Sequence, residues 1–246
     1  MKWYALNKEY VNYLKRYDCI VPDIEYTGRL KCFLGVVFKG DNGIDYFAPL
    51  TSYKPKFTTM KNDIDFFKIV GTQGKIYGAI DINNMLPVSQ NEYTEITLYN
   101  LPTFREFNNK REIKYYWKLL ETELSCINEE VLLDNAEKLY RFVMQYPNSP
   151  LAQRCCNFSL LEEKCIEYNR VQSLLPELKR ITQKEDLYYI YDNLDNKDKF
   201  ENVVIQIEST EGITNVQELS REKINNFNRN DTKEINIFDD YDDYDY

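Results

Sequence analysis

Residues 32–56 read CFLGVVFKGDNGIDYFAPLTSYKPK, which places two apolar runs on either side of a turn. The first run, Cys32 to Phe38, is continuous and apolar, as in a strand buried on both faces. Lys39 to Gly43 supplies the Gly, Asp and Asn residues that close a tight hairpin. Ile44 to Leu50 then reads as the returning strand. The segment therefore predicts an antiparallel β-hairpin whose second strand runs into Thr51 and Ser52.

Further short strands surround this hairpin in the sequence. They are Lys2 to Leu6, Asp65 to Val70, Lys75 to Ile80, Met85 to Val88 and Glu95 to Leu98. The pair on either side of Gly71-Thr72-Gln73-Gly74 reads as a second hairpin. Several short strands at this spacing predict a small curved antiparallel sheet or a partly closed barrel.

Helical periodicity marks the remaining part of the first 175 residues. The predicted helices are Lys8 to Arg16 capped by Asn7, Thr103 to Leu124, Asn128 to Tyr146, and Asn157 or Ser159 to about Leu175. Asn is a favoured N-cap, and Pro147 ends the third helix. The fold class is therefore α+β. Beyond Pro176, Leu178 to Tyr191 is predicted as a helix and Val203 to Ile207 as a strand.

Charge is distributed unevenly along the chain. Residues 1–175 contain 22 Lys and Arg and 22 Asp and Glu, whereas residues 176–246 contain 9 and 18. We therefore predict a domain over residues 1–175 and an acidic, partly disordered C-terminal extension over residues 176–246. The net charge of −9 belongs to the extension, so the domain can still carry a basic face.

Histidine and cysteine usage excludes several kinds of site. The chain has no His, which excludes a histidine-based proton shuttle. Its six Cys form no CxxC pair, so we expect no structural zinc site. Asp63 and Asp65 are close in sequence but have no apparent third ligand, so we expect no other metal and no cofactor. No signal peptide precedes Trp3, and no apolar run has the length of a membrane span. The sequence predicts a cytoplasmic protein with reduced thiols and no membrane partner.

Thr51-Ser52-Tyr53-Lys54-Pro55-Lys56 brings two hydroxyls and two ammonium groups together at a strand end. Donors and fixed positive charge are what a site needs to hold a phosphodiester and stabilise charge that develops on it. The alternative interpretation is a pair of capping hydroxyls followed by solvated lysines. A lysine at this place can act as a general acid only if burial or a neighbouring cation, such as Lys31 or Lys56, lowers its pKa.

Several segments, in order, resemble one family. They are Trp3-Tyr4, the helix with Tyr13-Leu14-Lys15, Lys31-Cys32-Phe33-Leu34-Gly35, Pro49-Leu50-Thr51-Ser52, and Cys155-Cys156-Asn157-Phe158 through Cys165. Over roughly the first 170 residues the chain resembles the ToxN/AbiQ family, the endoribonuclease toxins of type III toxin–antitoxin systems. One departure is Tyr53, which stands where many members have Pro.

The resemblance implies a fold related to the Kid/MazF toxins with added helices, and a catalytic set of Thr51, Ser52 and Lys54. Thr51 and Ser52 would hydrogen-bond the scissile phosphate, with Ser52 also reaching the 2′-OH. Lys54 would neutralise the phosphorane and protonate the leaving oxygen. The implied reaction needs no metal and leaves a 2′,3′-cyclic phosphate and a 5′-OH. The candidate RNA-binding residues are Arg29, Lys31, Lys56, Lys61 and Arg154.

The resemblance also implies partners. The first is a small repeat-derived RNA antitoxin, which the enzyme processes and to which it then remains bound. The substrates are cellular or phage RNA. RNA would also bridge protein subunits into larger assemblies. The implied role is growth arrest and defence against phage by abortive infection.

Two other functions remain open from the residues alone. The first is a non-catalytic RNA-binding relative, favoured if Tyr53 displaces Lys54 from the phosphate. The second is an interaction protein that recruits a partner through its acidic tail. The tail itself, which ends in alternating Asp and Tyr, is either a nucleic-acid mimic over a basic groove or a solubilising spacer.

Overall fold

The computed structural model describes residues 1–26, 28–177, 184–210 and 215–236. The β-strands are β1 (Lys2–Leu6), β2 (Glu25–Tyr26), β3 (Arg29–Leu30), β4 (Phe33–Lys39), β5 (Asp45–Ser52), β6 (Phe66–Val70), β7 (Ile76–Asp81), β8 (Leu86–Val88) and β9 (Tyr93–Glu95). The α-helices are α1 (Lys8–Lys15), α2 (Leu101–Phe104), α3 (Lys110–Ser125), α4 (Glu129–Gln145), α5 (Phe158–Leu174), α6 (Lys184–Asn193), α7 (Phe200–Ser209) and α8 (Val216–Asn236). This mixture of helices with an antiparallel sheet is the predicted α+β class.

Contacts divide the chain into two compact units, Met1–Cys165 and Ile166–Tyr246. The division falls inside α5, whereas the sequence places a domain boundary after residue 175. The sheet belongs to the first unit and runs in the order β6-β7-β5-β4-β1-β9, with β8 paired to β5. This path of described strands is open, with β6 at one edge and β9 at the other.

Strand β5 changes partners along its length. Its first part, Asp45 to Pro49, pairs with β4, and Asp45 to Phe47 also pairs with β8. Its last residues, Leu50 to Ser52, pair with β7 instead. The end of β5 is therefore held by a different strand from its beginning, which fixes where Thr51 and Ser52 lie.

The predicted hairpins are both confirmed. β4 and β5 pair across the Gly40 to Gly43 turn, where Gly43 has a φ of +81°, a backbone conformation that glycine adopts without steric cost. β6 and β7 pair across Gly71 to Gly74. Both turns follow from local residue chemistry.

Helices α4 and α5 dock on the sheet through a buried carboxylate. Glu162 of α5 accepts hydrogen bonds from the hydroxyls of Tyr46 on β5, at 2.9 Å, and Tyr140 on α4, at 3.0 Å. A buried polar group is tolerated when hydrogen-bond partners such as these satisfy it. The helix starts predicted from Asn7, Asn128 and Asn157 are confirmed, since each side-chain oxygen accepts a backbone N–H of its helix.

Two predicted elements of the first unit are wrong in their bounds. The helix predicted from Thr103 to Leu124 is two helices, because Arg105 is extended and Asn109 caps a new start at α3. The strand predicted from Glu95 to Leu98 is β9, which ends at Glu95. Thr97 and Asn100 then hydrogen-bond to each other across a turn.

The second unit has its own apolar core. Leu187 and Ile190 of α6 pack with Val203, Val204 and Ile207 of α7. The strand predicted from Val203 to Ile207 is therefore wrong. β-branched residues favour strands intrinsically, but here their spacing places them on one helical face and burial decides. The predicted helix from Leu178 to Tyr191 is α6 from Lys184 onwards. Residues 178–183, and the last ten residues of the acidic tail, lie outside the described residues.

Candidate active site

The end of β5 is held closely against β7. Thr51 faces Ala79 and Ser52 faces Gly78 in the antiparallel register, and the N–H of Tyr53 donates to the carbonyl of Tyr77 at 3.1 Å. A Cβ atom at position 78 would lie 2.6 Å from the Thr51 carbonyl oxygen. The absence of a side chain at Gly78 therefore allows β7 to approach and fix the two hydroxyl residues.

Lys54 lies at the start of a short 3-10 turn, Pro55–Thr58. Phe57 anchors this turn, because its buried ring lies 5.2 Å from the ring of Phe66 on β6. Lys54 and Lys56 are exposed on the outside of the turn. The lysines thus project from a segment that packing and the fixed φ of Pro55 hold in place.

Two open depressions of about 560 Å³ and 450 Å³ meet at this strand end. Thr51 and Lys54 line both of them. The other predicted residues divide between them: Lys56, Lys61 and Arg154 line the first, and Arg29, Lys31 and Ser52 line the second. The structure therefore brings all eight predicted site residues to one surface. Thr51 and Lys54 form the ridge between its two halves.

The strand end also carries a carboxylate that sequence reasoning missed. The hydroxyl of Thr51 donates a hydrogen bond to Oδ2 of Asp81, the last residue of β7. Asp81 follows an apolar strand and belongs to no recognisable motif. The register of β5 on β7 is what brings it to Thr51, so no local signal in the sequence points to it.

Burial and neighbouring charges both shift the pKa values of two titratable groups at the site, Asp81 and Lys31. Burial raises the pKa of Asp81, while the Thr51 hydrogen bond and the ammonium groups of Lys31, Lys54 and Lys56 oppose that rise. Burial lowers the pKa of Lys31; Asp81 opposes this effect and Lys54 adds to it. Lys31 is therefore a lysine at this site whose surroundings favour proton release.

Arginine and aromatic side chains form the far wall of the second depression, which sequence reasoning also missed. The guanidinium of Arg105 lies 4.2 Å from the ring centroid of Tyr116, and Tyr26 is half exposed nearby. Arg105 is placed there by an isolated β-bridge between its backbone and that of Arg29. Arginine planes and exposed rings are surfaces on which unstacked bases lie.

Tyr53 does not take the position of Lys54. Its ring packs edge-on to Phe57 with centroids 6.4 Å apart, and Lys54 still lines both depressions. The departure at residue 53 therefore leaves the ammonium group at the ridge.

The described residues contain no group of three or more His, Cys, Asp or Glu that could hold a metal ion. All six cysteines lie in the described part of the chain and are free thiols. Among the helices described, none is both long enough and apolar enough to cross a bilayer.

About two thirds of the chain is similar to known proteins. Residues 2–166 match the family model described as toxin ToxN of type III toxin–antitoxin systems. A curated relative is the endoribonuclease ToxN of Bacillus thuringiensis subsp. kurstaki. It is 30% identical over 172 residues, which cover 68% of this chain and 84% of the relative.

Solved structures also match. One belongs to a bacterial antiviral system that a processed non-coding RNA regulates, with a TM-score of 0.56 and 30% identity over 68% of this chain and 98% of that chain. Another is AbiQ, a lactococcal anti-phage endoribonuclease of a type III toxin–antitoxin system. It has a TM-score of 0.56 and 25% identity over 69% of this chain and 98% of that one. The chain therefore belongs to the ToxN family of type III toxin–antitoxin toxins.

Proposed function

We propose that this chain is a sequence-preferring endoribonuclease toxin whose activity resides at the ridge formed by Thr51 and Lys54. The observation that carries the proposal is the position of the ridge, which separates two depressions lined by six further basic residues. A single RNA strand crossing both depressions places one phosphodiester over the ridge. The surrounding cations bind the phosphates on either side.

The reaction is attack by the substrate's own 2′-OH on the adjacent phosphorus. Ser52 is exposed, and its hydroxyl has no hydrogen-bond partner among the described residues, so it is free to donate to a phosphate oxygen. Lys54 neutralises the charge that develops on the phosphorane. These two groups act on the phosphate without a metal ion.

Protonation of the leaving 5′-oxygen completes the reaction. An ammonium group performs this step well only when its pKa lies near the working pH. Burial lowers the pKa of Lys31, which adds it to Lys54 as a proton donor at the site. The products are a 2′,3′-cyclic phosphate and a 5′-OH.

The biological setting follows from family membership. A small RNA antitoxin, cut from a repeat precursor, occupies the same basic surface and inhibits the enzyme, and RNA bridges protein subunits in a closed assembly. Release of the enzyme onto cellular or phage RNA in the cytoplasm arrests growth and aborts infection. The relation of the sheet to the Kid/MazF toxins is part of the same proposal.

The test uses the purified full-length chain and total bacterial RNA. We expect cleavage products whose 5′ ends accept phosphate from polynucleotide kinase without prior phosphatase treatment, and whose 3′ ends do not ligate until the cyclic phosphate is opened and the remaining phosphate is removed. Lys54→Ala is the matched inactive control. An absence of cleavage, or products with 5′-phosphate ends, contradicts the proposal.

A further inference from the structure

The two adjacent hydroxyls at the end of β5 are not equivalent. Thr51 is half-buried and donates its hydroxyl proton to Asp81, whereas the exposed hydroxyl of Ser52 is without a partner among the described residues. A hydroxyl has one proton to donate and two lone pairs that accept. Thr51 therefore presents only lone pairs to a substrate, while Ser52 presents a donor.

This difference decides which substrate atom each hydroxyl can bind. The non-bridging oxygens of a phosphodiester are acceptors and need a donor, which Ser52 supplies. The 2′-OH of the attacking ribose is a donor, and an acceptor beside it is what its deprotonation requires. Thr51 borders both depressions, so a substrate strand that crosses from one to the other passes beside this residue.

We propose that Thr51 accepts the hydrogen bond of the attacking 2′-OH, and that Asp81 is the positioning residue that holds Thr51 in this orientation and receives its proton. The inference rests on the proposed function and deepens it. In the step, the 2′-O–H bond breaks and its proton moves to Oγ1 of Thr51, while Thr51 passes its own proton to Asp81. The bond from the 2′-oxygen to phosphorus forms, the bond to the 5′-oxygen breaks, and that oxygen takes a proton from a lysine ammonium. Water then restores both proton states.

The surroundings of Asp81 suit a group that accepts a proton indirectly. Burial raises the pKa of its carboxyl, which makes the carboxylate a stronger base. The ammonium groups of Lys31, Lys54 and Lys56 oppose this effect, because they favour the carboxylate form. In the hydrogen bond between them Thr51 is the donor, and a carboxylate at Asp81 can only accept.

Other charged groups reach the same depression from the β6 side. Asp63 is exposed there, and Asp65 is ion-paired with Arg154 at 2.8 Å. Lys61 is also exposed in this depression. Asp63 provides a matched control, since Asp63→Asn removes one negative charge from the same depression and leaves the Thr51–Asp81 contact unchanged.

The experiment measures single-turnover cleavage as a function of pH. The probe is an oligoribonucleotide that the wild-type protein cleaves, together with a version carrying one 2′-deoxyribose at the cleavage position for binding. Asp81→Asn keeps an amide oxygen to accept from Thr51 but cannot take the proton. We expect a loss of about 100- to 10,000-fold in rate. We also expect the fall in rate at acid pH to disappear, and the affinity for the deoxy probe to be retained.

Variants of Thr51 test the same proton transfer without changing Asp81 itself. Thr51→Val should lose as much rate as Asp81→Asn, and the double variant should be no slower than Thr51→Val alone, because the two residues act in series. Thr51→Ser should retain most activity. Asp63→Asn should keep the wild-type pH profile.

Two outcomes overturn the inference and differ in what they leave standing. In the first, Ser52→Ala and Lys54→Ala abolish cleavage, but Asp81→Asn or Thr51→Val keeps the wild-type rate and the wild-type fall in rate at acid pH. The proton transfer through Thr51 to Asp81 is then wrong, and the proposed function stands. In the second, the wild-type protein cleaves no RNA. The proposed function is then wrong, and so is the proton transfer that rests on it.

Discussion

The Nε atom of Arg154 lies 2.8 Å from Oδ2 of Asp65 and joins the segment before α5 to the start of β6. Asp65 is 8% exposed, so its carboxylate depends on this partner. Arg154 was predicted as an RNA contact, and it lines the first depression. The ion pair gives it a second role, in holding the wall of that depression.

Arg154→Ala is therefore expected to lower stability as well as RNA affinity. Most of the arginine side chain is exposed, which limits the cost to about 1 kcal/mol. Lys61→Ala is the matched control, because this exposed lysine lines the same depression. Thermal unfolding and RNA binding measured on both variants separate the two roles. Equal melting temperatures for Arg154→Ala and Lys61→Ala would show that Arg154 has no structural role.

Ser52→Ala and Lys54→Ala are each expected to abolish toxicity in a bacterial growth assay. Both side chains are exposed, so the variants should fold and keep the wild-type melting temperature. Loss of one preorganised group acting on the phosphorane lowers the rate by about 100- to 1,000-fold. Lys54→Arg should also be impaired, since a guanidinium does not release its proton near neutral pH. Lys138→Ala, at an exposed ion pair on α4, should remain fully toxic.

Gly78→Ala is expected to impair cleavage although residue 78 carries no chemistry. The new Cβ would meet the Thr51 carbonyl oxygen at 2.6 Å and push the end of β5 away from β7. A displacement of about 1 Å at a reacting group costs on the order of 100-fold in rate. Both kcat and the affinity for RNA are measured, and only kcat should fall. A variant with wild-type kcat would show that the strand end is not held as tightly as this contact implies.

Cleavage is expected to continue in excess EDTA. Asp63, Asp65 and Asp81 all border the first depression, but they belong to no group that could hold a metal ion among the described residues. Hydroxyl and ammonium groups stabilise the charge that develops on the phosphorane instead. A rate that collapses in EDTA and returns with Mg²⁺ would require a different mechanism.

Glu123 on α3 is expected to make stability depend on pH. It is 4% exposed, its Oε2 has no hydrogen-bond partner among the described residues, and burial raises its pKa from 4.5 to about 7. The folded protein therefore holds this proton more tightly than the unfolded chain. The associated stability is fully present below pH 4.5 and is lost as the pH rises to about 7.

Glu123→Gln should accordingly unfold at higher temperature than the wild type above neutral pH, by the equivalent of about 2 kcal/mol. The two proteins should converge in acid. Glu121→Gln, at an exposed position on the same helix, is the control and should leave the pH dependence unchanged. Parallel curves for wild type and Glu123→Gln would mean that Glu123 is solvated in the folded state.

The sequence alone determined the elements whose signals are local. The Gly40 to Gly43 turn, the caps at Asn7 and Asn128, and the strand that leads into Thr51 and Ser52 all depend on residues a few positions apart, so they can be recognised without the fold. It also brought the candidate hydroxyls and Lys54 to attention, because these residues are adjacent in the chain.

Tertiary structure decided the contacts that join distant segments. Asp81 meets Thr51 across 30 residues only because β5 leaves β4 and β8 to pair with β7. The pKa of Lys31 is lowered because the fold buries this side chain, and the extent of burial cannot be known from the residue type alone. Val203 and Ile207, strand formers by propensity, lie in a helix because an apolar core was available on one face. Local preference is worth a fraction of a kcal/mol per residue, so burial and register prevail wherever they disagree with it.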